Sequence, residues 1–322
     1  MINVAKEIGK DPKEMRAYFS EKMIELANAD QNIMFLGADL VGTVSMGNFL
    51  KTYPDRGLNV GIAEANMAGV AAGLSLTGKV PFVYSFGPFA TRRCYDQVFL
   101  SCAYAKANVK IIGSDPGVCA AFNGGTHMPF EDVGIMRNIP EITILEPADG
   151  LSLQWALEAA AKQYGIFYIR IVRKSGPKVY EAGSQFEIGK AAKLRDGNDV
   201  TLIASGIMVA EALKAAQLLA EQGVSARVLD MFTIKPIDKQ AIIDAIADTG
   251  CIVTCENHSV INGLGSAVSE VVVANCPAPV EMVGVKDVFG EVGPENYLRE
   301  RFGLTPDKIV EAAQRVIARK AK

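Results

Sequence analysis

The stretch "GIAEANMAGVAAGL", residues 61–74, governs how the rest of the chain is read. Met67, Val70, Ala71 and Leu74 recur at i, i+3, i+4 and i+7, the single apolar stripe of an amphipathic helix. Elsewhere the segment is lean, because Ala63, Ala65, Ala68, Gly69, Ala72 and Gly73 carry almost no side-chain bulk. Such a helix can come close to another backbone or to a ligand. One carboxylate, Glu64, stands at its start. An acidic side chain in a first turn gains ~0.3–1 kcal/mol from the helix dipole and the unpaired N–H groups, which is the ordinary explanation. The sharper one is a desolvated carboxyl held in place to handle a proton. What surrounds the helix decides between them.

Outward from this segment, short β-rich runs alternate with helical stretches. The pattern predicts strands over 33–37, 58–62, 80–86, 108–113, 142–147 and 166–172, with further helices over 14–29, 92–107 and 150–164. Several strands are apolar on both faces, as in a parallel sheet covered by helices. The alternation breaks at 173–199, a polar stretch rich in Gly and Lys that reads as a linker leading into a turn-bounded strand. A second series follows, with strands at 200–206, 226–231, 251–258 and 280–285 and helices at 207–223, 265–276 and 305–320. The expected fold is α/β in two domains, residues 1–178 with a parallel sheet flanked by helices and 179–322 forming a smaller α/β unit. The segment "NGLGSAVS" (262–269) places GxG before a helix. It lacks the third glycine and the acidic residue ~20 positions on that a dinucleotide site needs, so capping and packing glycines explain it.

Composition removes several function classes. The 322 residues carry a net charge of −3, and no basic stripe with interleaved aromatics marks a nucleic-acid surface. No apolar run approaches the ~18 residues of a membrane span. The six cysteines form no CxxC pair, which fits free thiols in a reducing compartment. With only His127 and His258, a metal site or a Ser-His-Asp triad has little to draw on. The N-terminal residues show no signal-peptide core, and a cytoplasmic location is expected.

Between two predicted strands lies a long segment, 114–141, at the carboxyl edge where open sheets bind ligands. It contains Asn123, Gly124, Gly125, Thr126 and His127, while Phe86 and Phe89 stand three residues apart at the end of another strand. Taken alone, His127 is equally well a structural imidazole, and the phenylalanines are equally well core.

The ordered set "LGADL" (36–40), "VGIAEANMAGVAAGL" (60–74), "SFGPFATRRCYDQV" (85–98), "FNGGTHMPFED" (122–132) and "IPEITILEPADG" (139–150) resembles the carboxyl half of transketolase and of deoxyxylulose-phosphate synthase. That resemblance implies a thiamine-diphosphate site. Glu64 matches the helix-borne glutamate that hydrogen-bonds N1′ of the aminopyrimidine, and Phe86 and Phe89 match the aromatic wall beside it. Asp39 and Arg92 fall among cofactor-binding positions, and His127 matches a catalytic histidine that contacts the sugar. Arg16, Thr43 and Arg170 fall where the family holds the terminal phosphate of its substrate. Asn123 and Asp115 depart from the pattern, standing in place of a hydroxyl-binding aspartate and a phosphate-contacting histidine. These departures point to an anionic or branched sugar derivative other than an ordinary sugar phosphate.

No GDG motif occurs in the thiamine-binding part of the sequence. The resemblance therefore implies that Mg2+ (or Ca2+) and the cofactor's diphosphate belong to a partner, an N-terminal transketolase subunit, in a split enzyme of α2β2 type. The implied activity is transfer of a two-carbon ketol unit from a ketose to an aldose. Two other readings stay open at this level. One is the β subunit of a 2-oxoacid dehydrogenase E1 component, and the other is a non-catalytic scaffold subunit.

Overall fold

In the computed structural model, which describes residues 2–320, the chain builds two sheets. The first half runs α1 (Met15–Ala29), β1 (Ile33–Gly37), α2 (Gly47–Thr52), β2 (Gly57–Asn59), α3 (Glu64–Leu76), β3 (Val80–Phe86), α4 (Gly87–Ala90), α5 (Tyr95–Gln97), β4 (Lys110–Ser114), α6 (Asp132–Arg137), β5 (Thr143–Leu145), α7 (Gly150–Lys162) and β6 (Phe167–Ile171). The second half continues with β7 (Ala192–Arg195), β8 (Val200–Ala204), α8 (Met208–Glu221), β9 (Ala226–Asp230), β10 (Thr233–Lys235), α9 (Lys239–Thr249), β11 (Ile252–Ser259), α10 (Leu264–Asn275), β12 (Val280–Val285), α11 (Glu295–Arg301) and α12 (Pro306–Ala318).

The larger sheet has the order β10-β5-β6-β4-β3-β1-β2 and is parallel except where β10 meets β5. Strands β1, β3, β4 and β6 are buried along their whole lengths, the consequence of helices on both faces. The smaller sheet is β12-β11-β8-β9-β7, with only β7 antiparallel. The carboxyl ends of β3, β4 and β6 lie side by side, because Phe86 pairs with Ser114 and Ser114 with Ile171. The residues just beyond these three ends form one rim.

Four features differ from the expectation. The predicted strand at 58–62 stops at Asn59, and Gly61, at φ +73°, turns the chain so that α3 starts on Glu64. The predicted helix at 92–107 is a 3-10 turn, the short α5 and then a π-helical stretch over Val98–Tyr104. There Ala105 and Ala107 donate backbone bonds five residues back, to Leu100 and Cys102. The widened turn keeps Val98 and Cys102 buried together against α3, with the Cys102 thiol donating to the Ala68 carbonyl at 3.5 Å.

The predicted linker is docked rather than loose. Asp149 caps α7 and also accepts the backbone N–H groups of Val179 and Tyr180 at 3.0 and 2.8 Å. Finally, α2, α4, α6, α9, α11 and β10 go beyond the predicted elements, and β10 carries the second half of the chain onto the edge of the first sheet.

Candidate active site

The turn through Gly61 sets Glu64 at the first position of α3, with no side-chain cap and only 2% of its surface exposed. Both carboxylate oxygens accept from Nη1 of Arg93, at 3.0 and 3.1 Å, and Ser85 Oγ of β3 donates to Oε1 at 3.2 Å. Arg93 is itself 43% exposed and lies over the Phe89 ring, its guanidinium carbon 3.7 Å from the centroid. A buried carboxylate thus meets solvent only through one guanidinium, a setting that a dipole-stabilising surface glutamate would not have.

From Phe89 the contacts continue in a row. Phe86, the last residue of β3, lies 6.1 Å from Phe89. The His127 ring packs edge-on against both, at 5.7 and 5.0 Å. Its Nδ1 shares a 2.8 Å bond with Thr126 Oγ1, while Nε2 has no hydrogen-bond partner among the described residues. Burial, and then the charges of Arg93 and Arg92, hold the imidazole below its ordinary range, so it is neutral at pH 7. Arg92 turns the other way. Its fork holds Glu131 Oε1 at 2.7 Å and the Thr126 carbonyl at 3.1 Å, which pins the histidine loop to the segment after α4.

The structure separates the other predicted residues. Arg170, expected at the substrate's anionic end, is a correction: it is the last residue but one of β6 and has no side-chain exposure. Its Nε and Nη2 bond Asp132 at 2.8 and 3.0 Å, Nη1 bonds Glu146 at 2.6 Å, and Nη2 also reaches the carbonyls of Pro129 and Asn257. Every arm is engaged inside the protein, so no substrate can reach it. Burial works against ionisation of Asp132, but the Arg170 guanidinium outweighs it and holds that carboxyl below its usual range.

At the rim, just past the end of the same strand, stands Arg173. Its Nε donates to Asp115 Oδ2 at 2.8 Å and its guanidinium lies 5.1 Å from the Phe86 centroid. Asp115 follows β4 with φ +58° and is 1% exposed, and its Oδ1 has no hydrogen-bond partner among the described residues.

Thr43 reaches this corner through Tyr84, whose hydroxyl lies 3.1 Å from Thr43 Oγ1 and 2.9 Å from Ser114 Oγ. Arg16 bonds Glu14 through Nε at 2.6 Å, and its backbone N–H donates to the Arg173 carbonyl. Asp39, at φ +61°, accepts from the Asn59 amide at the turn before Glu64, beside the row rather than in it. Asn123 is exposed at the end of a 3-10 turn that breaks at Ala121, φ +47°. Left-handed backbone at three non-glycine rim residues fits a functional edge. Gly117 in this loop could be nothing else, since a Cβ there would sit 2.1 Å from Asn257 Oδ1.

Two stretches of the chain match known domains, the pyrimidine-binding domain of transketolase over residues 11–178 and the transketolase C-terminal domain over residues 189–309. The chain belongs to the transketolase family. It is 49% identical over 99% of its length, and 99% of the relative's, to a protein of Clostridium sp. (strain MSTE9) named 6-deoxy-6-sulfo-D-fructose transketolase subunit SqwH. It is 36% identical, over 92% of its length and 96% of the relative's, to a protein of Phocaeicola vulgatus named as one of the subunits of an apulose-4-phosphate transketolase. Human transketolase is 34% identical over 94% of the chain, which spans 49% of that enzyme. Among solved structures, a split-gene transketolase in an inactive beta4 tetramer superposes with TM-score 0.88 at 40% identity, covering 96% of this chain and 99% of the other.

Membership in this family implies use of thiamine diphosphate, and the residues present fit one end of that molecule. Glu64 offers a buried carboxylate whose cationic partner is 43% exposed, with Phe86 and Phe89 nearby. Among the described residues, no cluster of three or more His, Cys, Asp or Glu side chains could hold a metal ion.

Two members of the row, Arg93 and Arg173, and Ser85, which donates to Glu64, have no role assigned from the sequence. Arg93 lies four residues after Phe89, a helical neighbour, and Arg173 stands past a strand end, where open sheets bind ligands. Ser85 gives no local signal at all.

Proposed function

We propose that this chain is the pyrimidine-side subunit of a split transketolase and moves a two-carbon ketol unit from a ketose with an anionic end to an aldose. The supporting observation is the single row Glu64–Arg93–Phe89–His127–Phe86–Arg173, which joins a buried carboxylate at one end to a charged rim at the other. Bound here, thiamine diphosphate supplies the nucleophilic carbon and the electron sink. Glu64 would hold the proton at the aminopyrimidine N1′, and Phe86 and Phe89 would confine the ring. Neutral His127 would bond a sugar hydroxyl through Nε2, and Arg173 takes the place at the anionic end that Arg170 cannot fill.

A partner subunit is proposed to hold the diphosphate and its divalent cation. Exposed Ile62, beside Glu64, and exposed Phe122, in the histidine loop, are apolar groups that such a partner would cover. The names of the relatives, one for a sulfonated ketose and one for a sugar phosphate, support a substrate with an anionic end. The test is calorimetric titration of thiamine diphosphate with Mg2+ into this chain alone and into its complex with a diphosphate-domain subunit. Micromolar binding only in the complex, accompanied by ketol transfer, is expected. Tight binding to the isolated chain would overturn the shared site, and decarboxylation of 2-oxo acids without ketol transfer would overturn the reaction.

A further inference from the structure

The corner formed by Asp115 and Arg173 has a charge that sets it apart from a simple cationic pocket. Arg173 presents Nε inward, where Asp115 Oδ2 accepts it at 2.8 Å. No acceptor among the described residues engages Nη1 or Nη2, and the Arg173 side chain retains 17% of its exposure. The guanidinium is therefore fixed at its inner edge, with its outer edge free to take an anion as a two-pronged fork. The carboxylate behind it is buried, and its second oxygen has no hydrogen bond that would neutralise it. The pair brings no net positive charge to whatever docks on the outer edge.

We propose that Asp115 is a charge selector: it orients Arg173 for a singly charged oxyanion such as a sulfonate and opposes a doubly charged one such as a phosphate monoester. The inference rests on ketol transfer with an anionic substrate, and it goes further by naming the anion's charge. A sulfonate and a phosphate monoester offer the same three oxygens to the fork. They differ by the second negative charge, which a phosphate monoester acquires near pH 6. A net-neutral pair offers that extra charge little attraction to set against the cost of stripping it of water. Burial pushes the Asp115 carboxyl up to about 6 against the pull of Arg173, and Lys174 pulls in the same direction as Arg173. The charge of Glu295, on α11, opposes ionisation. At neutral pH Asp115 is therefore ionised, and repulsion operates.

The experiment uses the complex reconstituted with its diphosphate-domain subunit. It compares kcat/KM for one ketohexose bearing a C6 sulfonate with that for the same sugar bearing a C6 phosphate, and includes β-hydroxypyruvate as a ketol donor without a distal anion. The wild type is expected to favour the sulfonate at least about tenfold at pH 7.5, one unit charge at close range being ample for that ratio. Lowering the pH from 7.5 to 5.5 should bring the phosphate sugar toward parity, because its second charge is lost and the Asp115 carboxyl takes up its proton in the same range, while the sulfonate does not titrate. Asp115→Asn keeps the side-chain shape and should collapse the preference by raising use of the phosphate sugar relative to the sulfonate sugar.

Equal wild-type use of the two sugars at pH 7.5, or a preference that Asp115→Asn leaves intact, would overturn the proposal. The wild-type pH series needs no variant, so a misfolded Asp115→Asn protein does not shield it. Failure with all three donors would overturn the ketol-transfer reading itself, and the selector with it. Activity on β-hydroxypyruvate with no discrimination between the anionic sugars overturns the selector alone.

Discussion

Arg170 and Arg173 lie three residues apart on one run of chain, yet one is locked inside the molecule and the other stands at its rim. Arg170 belongs to β6, where both faces of the sheet are covered, so its charge survives only because Asp132 and Glu146 meet it and two carbonyls take its remaining hydrogens. Arg173 stands two residues past the end of that strand, where the sheet stops and its guanidinium meets one carboxylate, Asp115, and the Phe86 ring. The same side chain is an internal brace in one place and a potential ligand fork in the other. What separates them is position relative to the strand's carboxyl end.

If that contrast is right, its largest consequence is at Arg170. Arg170→Ala leaves Asp132 and Glu146 buried without a cation and should cost about 3–5 kcal/mol of folding free energy. Urea unfolding of the variant measures this directly. A loss below about 1 kcal/mol would mean that the brace is relaxed by water or by protonation of the carboxylates. Because the brace also holds the Pro129 carbonyl, the histidine loop should loosen in the same variant.

Glu64 tests the rim in the opposite sense, with a large effect on rate and little on stability. Glu64→Gln keeps the size of the side chain and can still accept from Arg93, but it cannot exchange a proton at N1′. Ketol transfer should fall at least about 100-fold, the range expected when a positioned acid–base group is lost. Unfolding should move by less than about 1 kcal/mol. Retention of wild-type turnover would return Glu64 to the ordinary role of an acidic residue at a helix start.

A smaller effect is expected at Arg173. Arg173→Gln should raise KM for a ketose with an anionic end about tenfold, or about 1.4 kcal/mol, while KM for β-hydroxypyruvate stays put. Steady-state kinetics on the two donors checks this. Equal losses on both would make Arg173 a brace like Arg170 and erase the distinction between them.

How much of this is legible in the sequence follows the same line. The lean helix and its carboxylate are local: small residues, an apolar stripe and one acid occupy consecutive positions, so both the element and its glutamate can be read directly. Which of two neighbouring arginines faces the site is not local. Arg92 and Arg93 diverge because a 3-10 turn, a short α-helix and a π-helical stretch follow one another where periodicity predicts a single helix. A motif match selects Arg170 over Arg173 because it ignores where a strand ends, although the strand predicted over 166–172 already encloses Arg170 and stops before Arg173. The strand β10 is only three residues long and pairs across the two halves of the chain, so no pattern within it could announce its partner.

The "NGLGSAVS" segment shows the converse, a motif that sequence reasoning rightly discounts. The start of α10 points its Leu264 and Gly265 N–H groups at Glu256, at 2.7 and 2.9 Å, so an internal carboxylate already occupies the place of a phosphate. Burial pushes that carboxyl up to about 8 despite those two bonds. Glu256, on β11, and Glu64 are thus two buried carboxyl groups that each sit against a helix start. One is closed off by backbone, and the other is held by a side chain that can leave.

That difference gives the smallest effect and the one most specific to the cofactor. An aminopyrimidine nitrogen that bonds Glu64 must compete with Arg93 for the same two oxygens. Because Arg93 is 43% exposed, the pair is worth only what a solvent-screened ion pair is worth, about 0.2–1 kcal/mol. Arg93→Gln should therefore tighten thiamine diphosphate binding to the assembled complex by a factor of up to about five, measurable by calorimetry. Weaker binding would show that Arg93 stays with the cofactor and cradles it, through its contact over Phe89, instead of stepping aside. The corresponding change at the closed site, Glu256→Gln, should leave cofactor affinity unchanged, since no displaceable side chain guards that carboxylate.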